Sequence, residues 1–261
     1  FAAGCSYTQY SYPTYVDYLS AGFNKTYNYG SCGAGNEFIF ASAMHLIREF
    51  KPKDNDVLIV QWSALGRNDT IEFGKTGYTL MGSLDWQDFY PKEWVQKFVN
   101  PVQHGLMLIN YADAIKAYAD ANNVRLIQTQ MFDPTISGYL GEPYETTIFN
   151  KFKHYIRKYM PKNELKQMFK RNNFSRSIEE FILRQPKEER LYFLNGTEIQ
   201  EDSHPSPYGH WLYACSLNEQ YKFGIESQLN HPKVIEYRDF IDKIFKNPNL
   251  HRLNLIKELG D

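Results

Sequence analysis

Lys25-Thr26-Tyr27-Asn28-Tyr29-Gly30-Ser31-Cys32-Gly33-Ala34-Gly35-Asn36 reads as a strand that runs into a glycine-rich turn and opens a helix. Residues 25–29 make the short strand. Past the turn, Phe38, Ile39, Ala43, Leu46, Ile47 and Phe50 recur at helical spacing, with Asn36 as the N-cap and Pro52 as the stop. Backbone amides left open at such a turn can hold a phosphate or an oxyanion. The glycines do not fall as G-x-G-x-x-G, and no G-K-[ST] follows, so the oxyanion is the better guest.

Outward from this unit the alternation continues. Strands are predicted at the N-terminus, 25–29, 57–62, 124–129 and 191–194, and helices near 13–20, 37–50 and 104–121. The last helix carries Leu108, Ala112, Ile115 and Ala119 on one face. Strand-helix alternation predicts an α/β fold, a mostly parallel sheet covered on both sides, with the site at the carboxyl ends of the strands. Two insertions interrupt it, at about 70–101 and 132–189, and a C-terminal extension covers about 228–261. The first insertion, with Phe73, Tyr78, Trp86, Phe89, Tyr90 and Trp94, reads as a long loop or lid whose aromatics either stack on a sugar ring or form a small satellite core. The stretch 151–190 is helical and basic, a solvated face by default and a surface for an acidic polysaccharide or a partner protein otherwise. In the extension, Lys233-Val234-Ile235-Glu236-Tyr237 reads as a strand, followed by a helix with Phe240, Ile241, Ile244 and Phe245. No Gly-, Pro- or Ser-rich linker appears, so a single domain is expected over 1–261.

Two further strings carry chemistry. Gly4-Cys5-Ser6-Tyr7-Thr8 follows the apolar Phe1-Ala2-Ala3, and Asp202-Ser203-His204-Pro205-Ser206 lies far along the chain. A serine hydroxyl is a poor nucleophile until a histidine takes its proton, and an acid must hold that histidine's tautomer and its charged form. Gly4 is expected to let the backbone turn sharply off a strand end and to leave the Ser6 hydroxyl exposed. Ser206 reads as an N-cap and Pro207 as the first residue of a helix whose buried stripe is Trp211, Leu212, Cys215 and Leu217. That places His204 in a loop just before a helix. His210 is the alternative base, and Cys5 an alternative nucleophile.

Taken together these strings resemble an SGNH (GDSL-type) hydrolase, a family marked by four short blocks. The first resembles Gly4-Cys5-Ser6-Tyr7-Thr8, with Cys5 where the family has aspartate. The second, counted from Asn28, puts the oxyanion-hole glycine at Gly33. The third, G-x-N-D, has a literal match at Gly66-Arg67-Asn68-Asp69, several residues later than usual after the strand Val57-Leu58-Ile59-Val60, so Trp62-Ser63-Ala64 is the other candidate for that place. The fourth, D-x-x-H, meets His204 with Glu201 three residues before it and Asp202 two before. The resemblance implies a flavodoxin-like three-layer α/β/α sandwich with Ser6, His204 and Asp202 as the triad, Glu201 as the alternative acid, and Gly33 and Asn68 in the oxyanion hole. It implies a serine esterase acting on an acyl ester, such as an acetylated carbohydrate, without a cofactor. A catalytically degenerate domain serving as a binding or structural module, and an O-acyltransferase using the same residues, are the competing readings.

Composition fits a globular domain: 261 residues, 43% hydrophobic, formal net charge -1. That balance gives no argument for a nucleic acid or an anionic membrane partner, and no apolar run approaches membrane-spanning length. The seven histidines form no H-E-x-x-H cluster, and Cys5, Cys32 and Cys215 lack metal-ligand spacing, so no metal site is expected. Only Phe1-Ala2-Ala3 precede Gly4, short for a first strand, and there is no initiator methionine; strand residues before Phe1 are expected.

Overall fold

A computed structural model describes residues 1–65, 67–74, 77–80, 91, 93–94, 97, 101–131, 167, 170–172, 174–185, 193–195, 198–200 and 204–245. In chain order the elements are β1 (Ala2–Gly4), α1 (Tyr15–Ser20), β2 (Asn28–Gly30), α2 (Asn36–Phe50), β3 (Val57–Trp62), β4 (Ile71–Gly74), β5 (Gly77–Leu80), α3 (Pro101–Ala121), β6 (Arg125–Gln130), α4 (Ile178–Leu183), β7 (Phe193–Asn195), β8 (Glu198–Gln200), α5 (Pro207–Tyr221), α6 (Glu226–Leu229) and α7 (Pro232–Phe245). They fall into two compact units. Residues 1–8 and 27–180 make the first, and residues 9–26 and 181–261 the second.

The first unit holds a four-stranded sheet in the order β2-β1-β3-β6, every pair parallel. Numbered within the sheet this is 2-1-3-4, the flavodoxin-like order, and the α/β class stands on it. β3 is buried at every position, as a central parallel strand must be, and Val57-Leu58-Ile59-Val60 meets that need with continuous apolar side chains. β6 does not: Gln128, Thr129 and Gln130 are buried too. The sheet accommodates two of them by hydrogen bonds. Trp62 Nε1 donates to Gln128 Oε1 at 2.7 Å, Gln128 Nε2 donates to the Ala112 carbonyl at 3.2 Å, and Thr129 Oγ1 donates to the Arg176 carbonyl at 3.1 Å.

α2 packs on β1, β2 and β3, and α3 on β6 and on α2. The buried stripes are Ile39, Ala43, Leu46 and Ile47 on α2, and Leu108, Ala112, Ile115 and Ala119 on α3, the face expected from periodicity. α2 starts at Asn36 rather than being capped by it, and ends at Lys51, left-handed at φ 47°, just before Pro52. The 70–101 insertion contains a hairpin, β4 with β5, where a long loop was expected.

The second unit is mostly helical, with α1 against α5, and α5 against α6 and α7. Three expectations are corrected here. Of the predicted strand at 191–194, residues 191 and 192 lie outside the described residues, and Phe193–Asn195 form β7, which pairs antiparallel with β8 in a two-stranded ribbon instead of extending a parallel sheet. The predicted strand 233–237 is the first half of α7. The stripe on α5 is also rotated: His210, Tyr213, Ala214 and Leu217 are buried, while Trp211, Leu212 and Cys215 are half-buried.

Candidate active site

The chain leaves β1 first toward β2 on one side and later toward β3 on the other, so the carboxyl end of β1 is a topological switch point. Ser6 lies two residues past that end, in a turn closed by Thr8 N–H donating to the Cys5 carbonyl at 2.9 Å. The turn folds back over the strand, and Thr8 Oγ1 donates to Gln61 Oε1 on β3 at 2.8 Å. Cys5, Ser6, Tyr7 and Thr8 are all buried, Ser6 at 1% exposure. The expectation of an exposed hydroxyl is corrected by that burial. Cys5 Sγ lies 3.6 Å from Met131 Sδ, also buried, where a small thiol packs as a hydrophobic side chain would.

The glycine-rich turn sits directly beside this strand end. Gly4 pairs with Gly30 across the sheet, Ser31 N–H donates to the Gly4 carbonyl at 3.0 Å, and Asn28 Nδ2 donates to the Thr8 carbonyl at 2.8 Å. Ala34 N–H then donates to the Ser31 carbonyl at 3.1 Å, closing a four-residue turn with Gly33 third at φ 81°. That is the place where a type II turn demands a positive φ, and glycine reaches it without a side-chain clash. Gly33 is buried, and among the described residues nothing accepts a hydrogen bond from its N–H.

The loop after β3 grips the far side of the turn. Asn36 exchanges two hydrogen bonds with the Ser63 backbone, its Oδ1 accepting from Ser63 N–H at 2.7 Å and its Nδ2 donating to the Ser63 carbonyl at 3.3 Å. Arg67 Nη1 donates to the Ala34 carbonyl at 2.9 Å. Asp69 takes the Gly35 N–H on Oδ1 at 2.6 Å and the Phe38 N–H on Oδ2 at 2.9 Å, capping α2 from outside its own segment. Burial pushes the Asp69 carboxyl upward, and the amides of Phe38, Gly35 and Glu37 together with the Arg67 guanidinium oppose it. Asn68 donates from Nδ2 to Thr70 Oγ1 at 2.9 Å, within its own loop. Gly66 lies outside the described residues.

The segment around His204 is built in the second unit. His204 is half-buried, its ring stacked on Tyr10 with centroids 4.3 Å apart and planes at 16°. Tyr10 meets Tyr12 edge-on at 4.8 Å, and Tyr12 OH donates to the Pro205 carbonyl at 2.8 Å. Ser206 caps α5 as expected, its Oγ accepting from Gly209 N–H at 3.1 Å with Pro207 next. His210 is fully buried among Tyr12, Tyr15 and the rest of α5, and burial, with His204 nearby, drives its imidazole down to about 3. Asp202 and the alternative acid Glu201 lie outside the described residues.

Sequence reasoning thus found the turns after β1 and β2 and the cap before α5. It missed the residues that tie the turns together, Asn36, Arg67 and Asp69, and the stacking residue Tyr10. The one available signal was the literal Gly66-Arg67-Asn68-Asp69 string, read for its asparagine. Among the described residues no group of three or more His, Cys, Asp or Glu could hold a metal, and no helix is long and apolar enough to cross a membrane.

No family model matches the chain, and no curated protein matches it. Among solved structures it is similar to the crystal structure of a member of the lipolytic protein G-D-S-L family from Veillonella parvula DSM 2008, at 10% identity and a TM-score of 0.43, over 85% of this chain and 96% of that one.

Proposed function

We propose that this chain is a serine esterase of the SGNH type, with Ser6 as nucleophile, and that it removes a small acyl group such as acetate from a carbohydrate or similar ester. One observation carries the reading. The Ser6 turn and the Gly33 turn are joined at the carboxyl end of β1 through the Gly4 carbonyl and Ser31 N–H, and Gly33 offers a buried amide beside them. In the proposed reaction His204 takes the Ser6 proton and the hydroxyl oxygen attacks the ester carbonyl. The amides of Ser6 and Gly33, with the Asn68 side chain, hold the tetrahedral oxyanion. His204 returns its proton to the departing alkoxide, then activates the water that releases the acyl group. Asp202, or Glu201 in its place, holds the imidazole.

The burial of Ser6 favours a second reading, in which the domain is catalytically degenerate and serves as a binding or structural module. Turnover of p-nitrophenyl acetate by the wild type beside Ser6→Ala separates the two. The esterase reading expects Ser6→Ala to lose at least about 1000-fold in kcat. It also expects Gly33→Val to lose about 100–1000-fold, the scale of one oxyanion donor. No turnover by the wild type across a panel of acyl esters would select the module. An Asn68→Ala loss below about threefold would remove Asn68 from the oxyanion hole and leave its place to Trp62-Ser63-Ala64.

A further inference from the structure

We infer that Asp69 is a positioning residue: its carboxylate sets the conformation of the turn Ser31–Gly35, and with it the direction of the Gly33 N–H. The inference rests on the oxyanion reading of Gly33 above. Gly33 is held at φ 81° between two anchored ends. On one side Ser31 is tied to the Gly4 carbonyl, a bond of the sheet itself. On the other, Ala34, Gly35 and Asn36 are each tied to the loop after β3, through Arg67, Asp69 and Ser63.

Asp69 makes the central tie, one carboxylate oxygen accepting from the Gly35 amide and the other from the Phe38 amide. Gly35, the N-cap of α2, has no side chain with which to satisfy the first turn. A Cβ on Gly35 would stand 2.7 Å from Asp69 Oδ2, so the bare glycine is what lets the carboxylate approach. Both oxygens are engaged, and their negative charge faces the positive end of α2. An amide in the same place offers one oxygen and one NH2 group, so one of the two N–H donors would face another donor. The turn would then relax about its Gly35 end, and the Gly33 N–H would swing with it. A donor misplaced by about 1 Å costs on the order of 100-fold in rate. A cap that served stability alone would instead lower the unfolding midpoint and leave kcat of the folded protein unchanged.

The test uses the full chain. Asp69→Asn is measured for p-nitrophenyl acetate kinetics, for far-ultraviolet circular dichroism, and for amide resonances and hydrogen exchange at Gly33, Gly35 and Phe38. We expect kcat to fall by about 10–100-fold with KM held within about twofold. We also expect the Gly33 resonance to shift, and the Gly35 and Phe38 amides to exchange about tenfold faster or more. Unchanged kcat with an unmoved Gly33 resonance would overturn the inference while leaving the esterase reading standing. Should the wild type hydrolyse no acyl ester, the esterase reading fails separately and the amide measurements decide the role of Asp69. If Asp69→Asn does not fold, Asp69→Ser, which keeps one acceptor, is read by the same measurements.

Discussion

A methyl group placed on Gly4 would stand 1.9 Å from Thr8 Oγ1, 2.7 Å from Thr8 Cβ and 3.2 Å from Gln61 Cβ. Turning the Thr8 side chain would relieve the first contact by giving up its hydrogen bond to Gln61, but no rotamer moves the Cβ. Gly4→Ala is therefore expected to cost about 1–3 kcal/mol, the range for overpacking a filled interior, as a lower urea midpoint with unchanged slope. A loss under about 0.5 kcal/mol would mean that β1 shifts freely away from the Cys5–Thr8 turn. The sequence marks Gly4 as special for the wrong reason. It suggests a sharp turn exposing Ser6, whereas the glycine makes room for Thr8 in a turn that folds back over the strand, and Ser6 is buried. Composition of a pentapeptide can flag where the chain must do something unusual; it does not say which neighbour approaches. Asp69 shows the same limit. Its partners lie in another loop, and a hydrogen bond between distant polar residues leaves no periodic trace in either segment.

Elements were legible where their stripe was apolar or their cap was local. Ser206 with Pro207 is a local signal, and the cap forms as read. Ser206→Ala is expected to destabilise the fold by about 1 kcal/mol and Ser206→Gly by only a few tenths, the usual order at an N-cap. Urea unfolding of the two variants checks the order; equal losses would show that the Gly209 bond to Ser206 Oγ contributes nothing. α7 was misread because its buried stripe is only half apolar, Arg238 and Asp242 alternating with Ile241 and Ile244. Val234 and Ile235 invite a strand, and Arg238, counted as polar, hides the helical face it shares with Ile241. In the fold the guanidinium lies 4.6 Å from the Tyr208 ring centroid and 4.3 Å from that of Trp211, with Nε donating to Asp239 at 2.8 Å. Stacked and paired in this way, an arginine can occupy a core-facing position. β6 posed the same problem, polar but buried, and was found because Val124 just before it and Leu126 and Ile127 within it are apolar.

For the molecule as a whole, two pH dependences overlap and can be separated. The formal net charge is -1 at pH 7 and the isoelectric point about 6.7, so self-repulsion is weakest near neutrality and grows in both directions. The contribution of His210 to conformational stability is one-sided. His210 has its folded value driven to about 3, below the 6.5 of an unfolded chain, so its neutral form costs nothing above pH 6.5. As pH falls from 6.5 toward 3, the unfolded chain binds a proton that the folded one refuses, and stability drops by up to about 1.4 kcal/mol per unit. Between pH 7 and 5 the wild type should lose on the order of 2 kcal/mol by urea unfolding from this one group. His210→Phe keeps a ring beside Tyr12 and Tyr15 with nothing to protonate, so it should remove that part of the acid slope. An acid slope identical in the variant would place the sensitivity in other groups. Light scattering should meanwhile peak near pH 6.7 for both proteins, because association follows net charge and the substitution leaves the charge at that pH nearly unchanged. Just above neutrality, net charge and the His210 contribution favour the folded, dispersed protein together.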